Sequence, residues 1–443
     1  MKEQRNKSYD TSMSYRLRLI WAYKDVVRNH VPMVTKWYIK AFRRSQLKAA
    51  RRLQNKERIE VAFMLTIPGM WKSDYLFRAM RDNPRYHPYV VIYPYSWYKG
   101  FSREEVDATL QRTVKFVADK GFEYVVPYDA NRGRWEDIKK TLNPDVVIFS
   151  SPYKDHLPQY FVYHFRDRLT CYVPYAFLGL NMGGDNYDLI FHNLVGFYFL
   201  ETQMHLEDAI GRSRCHGANS VVTGFPGTEV FLRSDYRPTD VWKAQEHPKK
   251  RIIWAPHHTI DDTLQLSTFL LCCDEMLLLA KKYKDQVQFA FKPHQLLKFK
   301  LQKLWGEERT KNYYDQWATM ENTQLEETSY VDLFLTSDAM IHDCGSFTTE
   351  YLFVNKPVMY LTHDDHYAER FNRIGLKAFG CHYQGCNIAD VERFVRDTVV
   401  GNEDPKAADR KQFFDTYLKP IDNMMPSERV IMEIEKAING EIQ

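Results

Sequence analysis

No run of roughly 18 apolar residues occurs in this 443-residue chain, so a membrane-crossing helix is not expected. The opening MKEQRNKSYDTSMSYRLRL lacks the apolar core and small-residue cleavage site of a secretory signal, which points to a protein made and kept in the cytoplasm. Cys171, Cys215, Cys272, Cys273, Cys344, Cys381 and Cys386 are odd in number and scattered, a usage that suits a reducing compartment and not a disulfide framework. Cys381 and Cys386 lack the second pair that a structural zinc needs. Neither a Walker-type phosphate loop nor a G-x-S-x-G nucleophile elbow is present, which removes P-loop and elbow-type hydrolase chemistry. The HDDH run at 363–366 and the IDDT run at 260–263 read as solvated loops. No cofactor and no essential metal are therefore expected.

What the chain does carry is 44% hydrophobic and 15% aromatic residues, ample for packed cores in two or three domains. Its net charge of +4 hides a split: residues 1–58 hold 16 of the 61 Lys/Arg but only 4 of the 57 Asp/Glu. That asymmetry implies an anionic partner for this segment alone. From about Met33 to Gln54 a helical period gathers Lys36, Lys40, Arg43, Arg44, Lys48, Arg51 and Arg52 on one half of the wheel. Tyr38, Ile39, Phe42, Ala49, Ala50 and Leu53 fall on the other half. An earlier stretch, SYRLRLIWAYKDVV, mixes the same residue types. Three readings stay open. The helix lies on an anionic leaflet, each basic residue contributing about 1 kcal/mol; it packs on its own acidic body; or it meets nucleic acid. The absence of a zinc finger or RNP motif and the acidic remainder argue against nucleic acid. The membrane reading puts the protein peripherally on the cytoplasmic face of the membrane.

Beyond residue 58 the apolar runs alternate with amphipathic stretches. EVAFMLT, YVVIYPY, FEYVVPY and PDVVIFSSP read as strands, and the segments after the first three read as helices. LTCYVPY and SVVTGFP continue the series. This cadence predicts a parallel sheet covered on both faces. The polar, proline-punctuated RSDYRPTDVWKAQEHPKK reads as a linker. The pattern then restarts with KRIIWAPH, VQFAFKPH, the strand within YVDLFLTSDAMIHD, and PVMYLTH, before a helical tail. The expected class is α/β and GT-B-like by analogy of fold: two doubly wound Rossmann-like domains facing a cleft, after a basic N-terminal helical extension. The expected boundaries are 1–57 for the extension, 58–235 for an acceptor domain, 236–400 for a nucleotide-donor domain and 401–443 for C-terminal helices.

In open α/β sheets ligands sit beyond the C-terminal ends of strands. The loops TGFPGTE (223–229), WAPHHT (254–259), KPHQ (292–295) and HDCGSFTTE (342–350) occupy such places. In order, these four resemble the loops of the CDP-glycerol glycerophosphotransferase family of teichoic-acid polymerases and primases. There they run roughly T-G-Y-P-R-N-D, Y-A-P-T-W-R, R-x-H-P and T-D-Y-S-S-x-x-x-D. The likeness covers about residues 220–362; residues 58–220 match only in cadence. It implies a diphosphate contact at Ser346, with Thr348 and Thr349 beside it and Glu350 at the family's Asp position, suited to ribose hydroxyls. Gly345 would let backbone approach the ligand, the following helix start would face phosphate, and Asp343 would organise the turn. His294 matches the histidine of R-x-H-P and, protonated, would offset diphosphate charge. Lys292 replaces the family's Arg, keeping charge but losing its fork. Pro256 matches, and His257, His258 and Thr259 stand for Thr-Trp-Arg.

The departures lie on the acceptor side. The family's W-H-G-T-P-L-K loop, which carries its base, is absent. The nearest analogue by position, CYVPYAFLGLNMGG at 171–184, offers Tyr172 or Tyr175, poor unassisted bases at a pKa of about 10. His192 and His216 are further candidates, and Gly227 stands where the family has Arg. Trp71, Lys72 and Asp74, with Gly224 and Pro226, are the expected acceptor-side residues. The resemblance implies transfer of a polyol phosphate from a CDP-activated donor to a lipid-linked or polysaccharide hydroxyl in envelope synthesis. Two alternatives remain: a nucleotide-sugar glycosyltransferase for capsule or lipopolysaccharide, and a degenerate scaffold at the membrane surface.

Overall fold

The computed structural model describes residues 31–94, 102–154, 157–260, 264–327 and 330–442. The basic stretch at 14–27 and Asp261, Asp262 and Thr263 of the IDDT run lie outside them. The described residues fall into two compact units, one drawn from those up to Ala176, from Gly183–Glu229 and from Pro420 onward, the other from Phe177–Met182 and Val230–Lys419. No helix among the described residues is long and apolar enough to cross a membrane.

The first unit is built on a parallel sheet of β1 (Ile59–Leu65), β2 (Tyr86–Ile92), β3 (Tyr124–Val125), β6 (Val146–Phe149), β7 (Leu169–Tyr172), β8 (Phe197–Leu200) and β9 (Ser220–Val222). Their order is β3-β2-β1-β6-β7-β8-β9. A small antiparallel pair, β4 (Tyr128–Asp129) and β5 (Arg134–Trp135), interrupts the cadence. The helix expected across RWEDIKKTLN is therefore only Ile138–Thr141, capped by Asp137. Strands β1, β2 and β6 are almost wholly buried because both faces are covered, which is why they read as continuous apolar runs.

The helix Pro32–Arg51 belongs to this unit. Tyr38, Ile39, Phe42, Ala49 and Ala50 are buried, and the helix packs on β7 and on the helices Ile190–Leu194 and Pro426–Ile438. Gln46 is 2% exposed. Its Oε1 accepts from the Thr170 N–H and hydroxyl at 2.8 and 2.9 Å, and its Nε2 donates to the Phe165 and Arg166 carbonyls. The apolar face that the leaflet reading would insert is thus spent on the protein's own core. Lys36, Lys40, Arg44 and Lys48 remain exposed, together with Met33 and Trp37 at 86% and 67%.

The helix Pro426–Ile438 also joins the first unit, so 401–443 is not one segment. Val430, Ile434, Ala437 and Ile438 enter the core of β1 and β2. Glu435 takes Arg85 at 2.8 Å and the Tyr86 hydroxyl, and Ser427 donates its N–H and hydroxyl to Glu229 at 2.8 and 2.9 Å.

The second unit holds β10 (Lys250–Ala255), β11 (Val287–Phe291), β12 (Thr323–Leu325), β13 (Ala339–His342), β14 (Val358–Leu361) and β15 (Tyr383–Gly385), all parallel, in the order β12-β11-β10-β13-β14-β15. Chain order reverses between β10 and β13, the switch point where such sheets open a ligand site. Trp254, Phe269, Phe291 and Trp317 interlock beneath it, with ring centroids 5.0–5.7 Å apart along the chain of contacts. The expected linker is irregular but pinned to this unit. Trp242 is 6% exposed and donates to Thr336 at 3.0 Å, and Tyr236 donates to Asp332 at 2.6 Å.

Candidate functional site

Three loops leave the C-terminal ends of adjacent strands around that switch point. Pro256–Thr259 follows β10, Lys292–His294 follows β11, and Asp343–Ser346 follows β13. Backbone hydrogen bonds tie the first two: Lys292 N–H donates to the Trp254 carbonyl at 2.8 Å, and His294 N–H to Pro256 at 3.0 Å. Asp343, 1% exposed, ties the first to the third. Its carboxylate accepts from His257 N–H at 2.5 Å and from the N–H and hydroxyl of Thr268 at 2.6 and 2.9 Å. Burial pushes its carboxyl up to about 6, against the pull of those hydrogen bonds. The sequence reading had Asp343 organising its own turn; the carboxylate bonds instead reach His257 and Thr268, and Thr268 carried no signal of that role.

The three histidines of these loops form one cluster. Ring centroids are 4.4 Å apart for His257–His258, 5.1 Å for His257–His294 and 4.2 Å for His258–His294. Burial, then His258, Lys300 and Lys292, pushes His294 down to about 3. Burial, then His294, His258 and Lys300, holds His257 well below the usual imidazole range. Burial and the neighbouring positive groups thus disfavour a proton on His294 in the ligand-free chain, whereas the sequence expectation was a protonated ring beside a bound diphosphate. Lys292 is 9% exposed.

The β13 loop differs in detail from the expected phosphate cradle. A Cβ at Gly345 would sit 2.5 Å from Leu180 Cδ1, so the missing side chain makes room for Leu180. The segment carrying Leu180 is held by an Asn372 N–H bond to Gly179 and an Asn181 N–H bond to Arg370, at 3.1 and 2.7 Å. Ser346 has helical φ/ψ and its side chain makes no cap. Thr348 donates to the Cys344 carbonyl at 2.9 Å. Thr349 and Glu350 are 0% and 1% exposed. Glu350 Oε2 accepts from Tyr330 at 2.6 Å, while Glu350 Oε1 and Thr349 Oγ1 have no partner among the described residues. The 363–366 loop holds an Asp364–Arg370 pair, with His363 3.0 Å from Asp364.

In the first unit the turn at Gly224–Thr228 meets the start of the helix Asp74–Asp82. A Cβ on Gly227 would touch Lys72 Cβ at 3.1 Å, so Lys72 and the Pro226 turn are brought together. Trp71 is 8% exposed and packs among Phe63, Phe77 and Phe122, which makes it a core residue and not a surface one. Asp74 pairs with Lys120 at 3.0 Å. Among the base candidates, His192 is 2% exposed, stacked on Tyr198 at 5.0 Å and pushed down to about 3 by burial. Tyr172 is equally buried, its phenol well above the usual range. His216 is exposed in the loop that precedes β9, at the edge of the parallel sheet opposite the strand ends where ligands sit. Tyr175 is half-buried on the β7 loop, 6.4 Å from Tyr153 between ring centroids.

Two doubly wound parallel units, one with backbone-tied loops at its switch point, define a fold of the GT-B type. The sequence profile of the family described as CDP-Glycerol:Poly(glycerophosphate) glycerophosphotransferase matches residues 187–435, more than half of the chain. The chain belongs to that family and is a CDP-glycerol-type transferase. No curated protein matches it. Among solved structures, a histidine-to-asparagine variant of the wall teichoic acid polymerase TagF soaked with CDPG is 14% identical. That alignment covers 96% of this chain and 99% of TagF at a TM-score of 0.55. The S. aureus MnaA–UDP structure is 14% identical, covering 86% of this chain and 97% of its own at 0.53. The Methanocaldococcus jannaschii UDP-GlcNAc 2-epimerase in complex with UDP-GlcNAc and UDP is 15% identical, covering 85% and 99% at 0.51. Likeness at these identities establishes the shared fold.

Proposed function

We propose that the loops 256–259, 292–294 and 343–346 receive the diphosphate of a CDP-activated polyol, CDP-glycerol in the first instance. The polyol phosphate then passes to a hydroxyl of a lipid-linked or envelope-polysaccharide acceptor. The acceptor oxygen attacks the β-phosphorus in line, the bond from that phosphorus to the bridging oxygen breaks, and CMP departs with the electron pair. Positioning and charge stabilisation supply most of the acceleration. The supporting observation is the tie of three loops through Asp343 and Pro256, which brings Lys292 and three imidazoles to the switch point. Lys292 supplies positive charge beside the three imidazoles. The nucleotide donor serves as a substrate, with no further organic cofactor.

The acceptor lies with Lys72 and the Gly224–Pro226 turn, and Tyr175 is the remaining base candidate of the β7 loop. The protein works peripherally at the cytoplasmic face of a bacterial membrane, in capsule or teichoic-acid-like synthesis. It is held there by the exposed Lys36, Lys40, Arg44 and Lys48 and by Trp37 and Met33, basic and amphipathic side chains of the kind that favour an anionic interface.

The deciding experiment measures CMP release from CDP-glycerol with a lipid-linked acceptor. His294→Ala is expected to lower turnover by roughly 100-fold or more, and an unchanged rate would remove it from the site. A nucleotide screen by thermal shift adds the donor: CDP or CMP at 100 times its dissociation constant should stabilise by about 2.7 kcal/mol. Stabilisation by UDP or GDP alone would replace the CDP-activated donor with a nucleotide sugar.

A further inference from the structure

We propose that His257, His258 and His294 form a three-imidazole site for a borderline divalent cation of the zinc class. One ring nitrogen from each lies within 4.8 Å of the other two, with the rings tilted to one another by 33–60° at the centroid distances given above. Tetrahedral coordination at about 2.0–2.1 Å per nitrogen needs nitrogen–nitrogen separations of about 3.4 Å. Modest side-chain rotation reaches that from here. The loops need not move as bodies, since His294 N–H is bonded to Pro256 and His257 N–H to Asp343. Three imidazoles with one open position select zinc, cobalt or nickel over magnesium, which prefers oxygen donors.

The surroundings orient the ligands. His257 Nδ1 lies 3.0 Å from Thr259 Oγ1, which also accepts from Leu266 N–H at 2.9 Å. With Nδ1–H donating to that hydroxyl, the Nε2 lone pair is left for the cation, the division of roles usual for metal-bound histidine. His294 Nδ1 accepts a 3.2 Å contact from Leu296 N–H. Coordination at Nδ1 replaces that contact, and coordination at Nε2 moves the ring proton and breaks it. Lys292 and Lys300 lie within electrostatic reach of His294, and the Asp343 carboxylate behind His257 is occupied by donors of His257 and Thr268. The cation therefore enters with an anionic oxygen in its fourth position, a hydroxide or a phosphate. The expectation of no metal rested on sequence spacing, and His294 stands 36 positions from His258. The cluster exists only after β10 and β11 pair.

The site does not depend on which nucleotide the donor carries, so it is tested on the full-length, chelator-stripped protein without nucleotide. Zinc uptake is measured by calorimetry and elemental analysis, and cobalt uptake by visible absorption. The expected result is one equivalent per chain, with the intense d–d bands of four-coordinate cobalt. His258→Ala and His294→Ala should abolish both, while His366→Ala, in the exposed 363–366 loop, should retain both. Thr259→Val should weaken uptake by about 10–100-fold. Should either alanine variant fail to fold, His258→Gln and His294→Gln replace them with the same expectation. No stoichiometric uptake by the parent, or uptake unchanged in the His258 and His294 variants, overturns the site. A metal-free protein still stabilised by CDP-glycerol leaves the transferase reading standing whichever way the titration goes.

Discussion

Replacing His192 with phenylalanine should make the protein less sensitive to acid, by an amount the structure fixes. The ring is 2% exposed, stacked on Tyr198, and burial pushes it from 6.5 down to about 3. Because the folded-state value is depressed, the unfolded chain takes up the proton first. The contribution to stability is whole above about pH 6.5 and is lost as pH falls toward 3. At pH 5 the unfolded imidazole is protonated and the folded one is not, a penalty of about 2 kcal/mol. Phenylalanine keeps the stacked ring and cannot titrate. Melting temperatures of parent and His192→Phe should agree closely at pH 7.5. At pH 5 the variant should lose less, by about 4–8 °C for a domain of this size. Equal losses in both proteins would show that His192 is not held neutral and that the depth of its burial is wrong.

Gly345→Ala should cost about 1–3 kcal/mol through overpacking, because the new methyl meets Leu180 at 2.5 Å. Adding Leu180→Ala should recover part of that loss, and a single variant with an unchanged melting temperature would contradict the contact. Gln46→Ala strands the buried Thr170 N–H and should cost about 1–3 kcal/mol in a urea titration, with an unchanged midpoint counting against it. Removing residues 1–57 should unfold the first unit by stripping Phe42, Ala50 and Leu53 from its core. A stable, folded 58–443 fragment would refute the packing described for that helix.

Much of the fold was legible because buried parallel strands announce themselves. EVAFMLT, PDVVIFSSP, KRIIWAPH and VQFAFKPH each carry a run of buried, mainly apolar residues, and both faces of their sheets are covered. Short or polar elements were not: Thr323–Leu325, Tyr383–Gly385 and the Tyr128–Trp135 hairpin carry too few apolar residues to show a period. The loops at the strand ends could be located from the same punctuation. The state of the site residues could not. His294 reads as a cation from sequence, while in the folded chain burial and nearby positive groups lower its affinity for a proton, because desolvation depends on what surrounds it. Trp71 and His192 looked available and are core, since burial is decided by neighbours distant in sequence.

The sequence by itself determined the alternation of strand and helix, the parallel sheets that follow from it, and the loops where chemistry must sit. All of these depend on local periodicity and on residues adjacent in the chain. Tertiary structure alone decided the rest. It brought His294 against His257 and His258, laid Leu180 over Gly345, and put the helix Pro426–Ile438 into the core of the strands at 59–92. Those are contacts between segments up to several hundred residues apart, selected by shape and by burial of surface, and no local pattern encodes them.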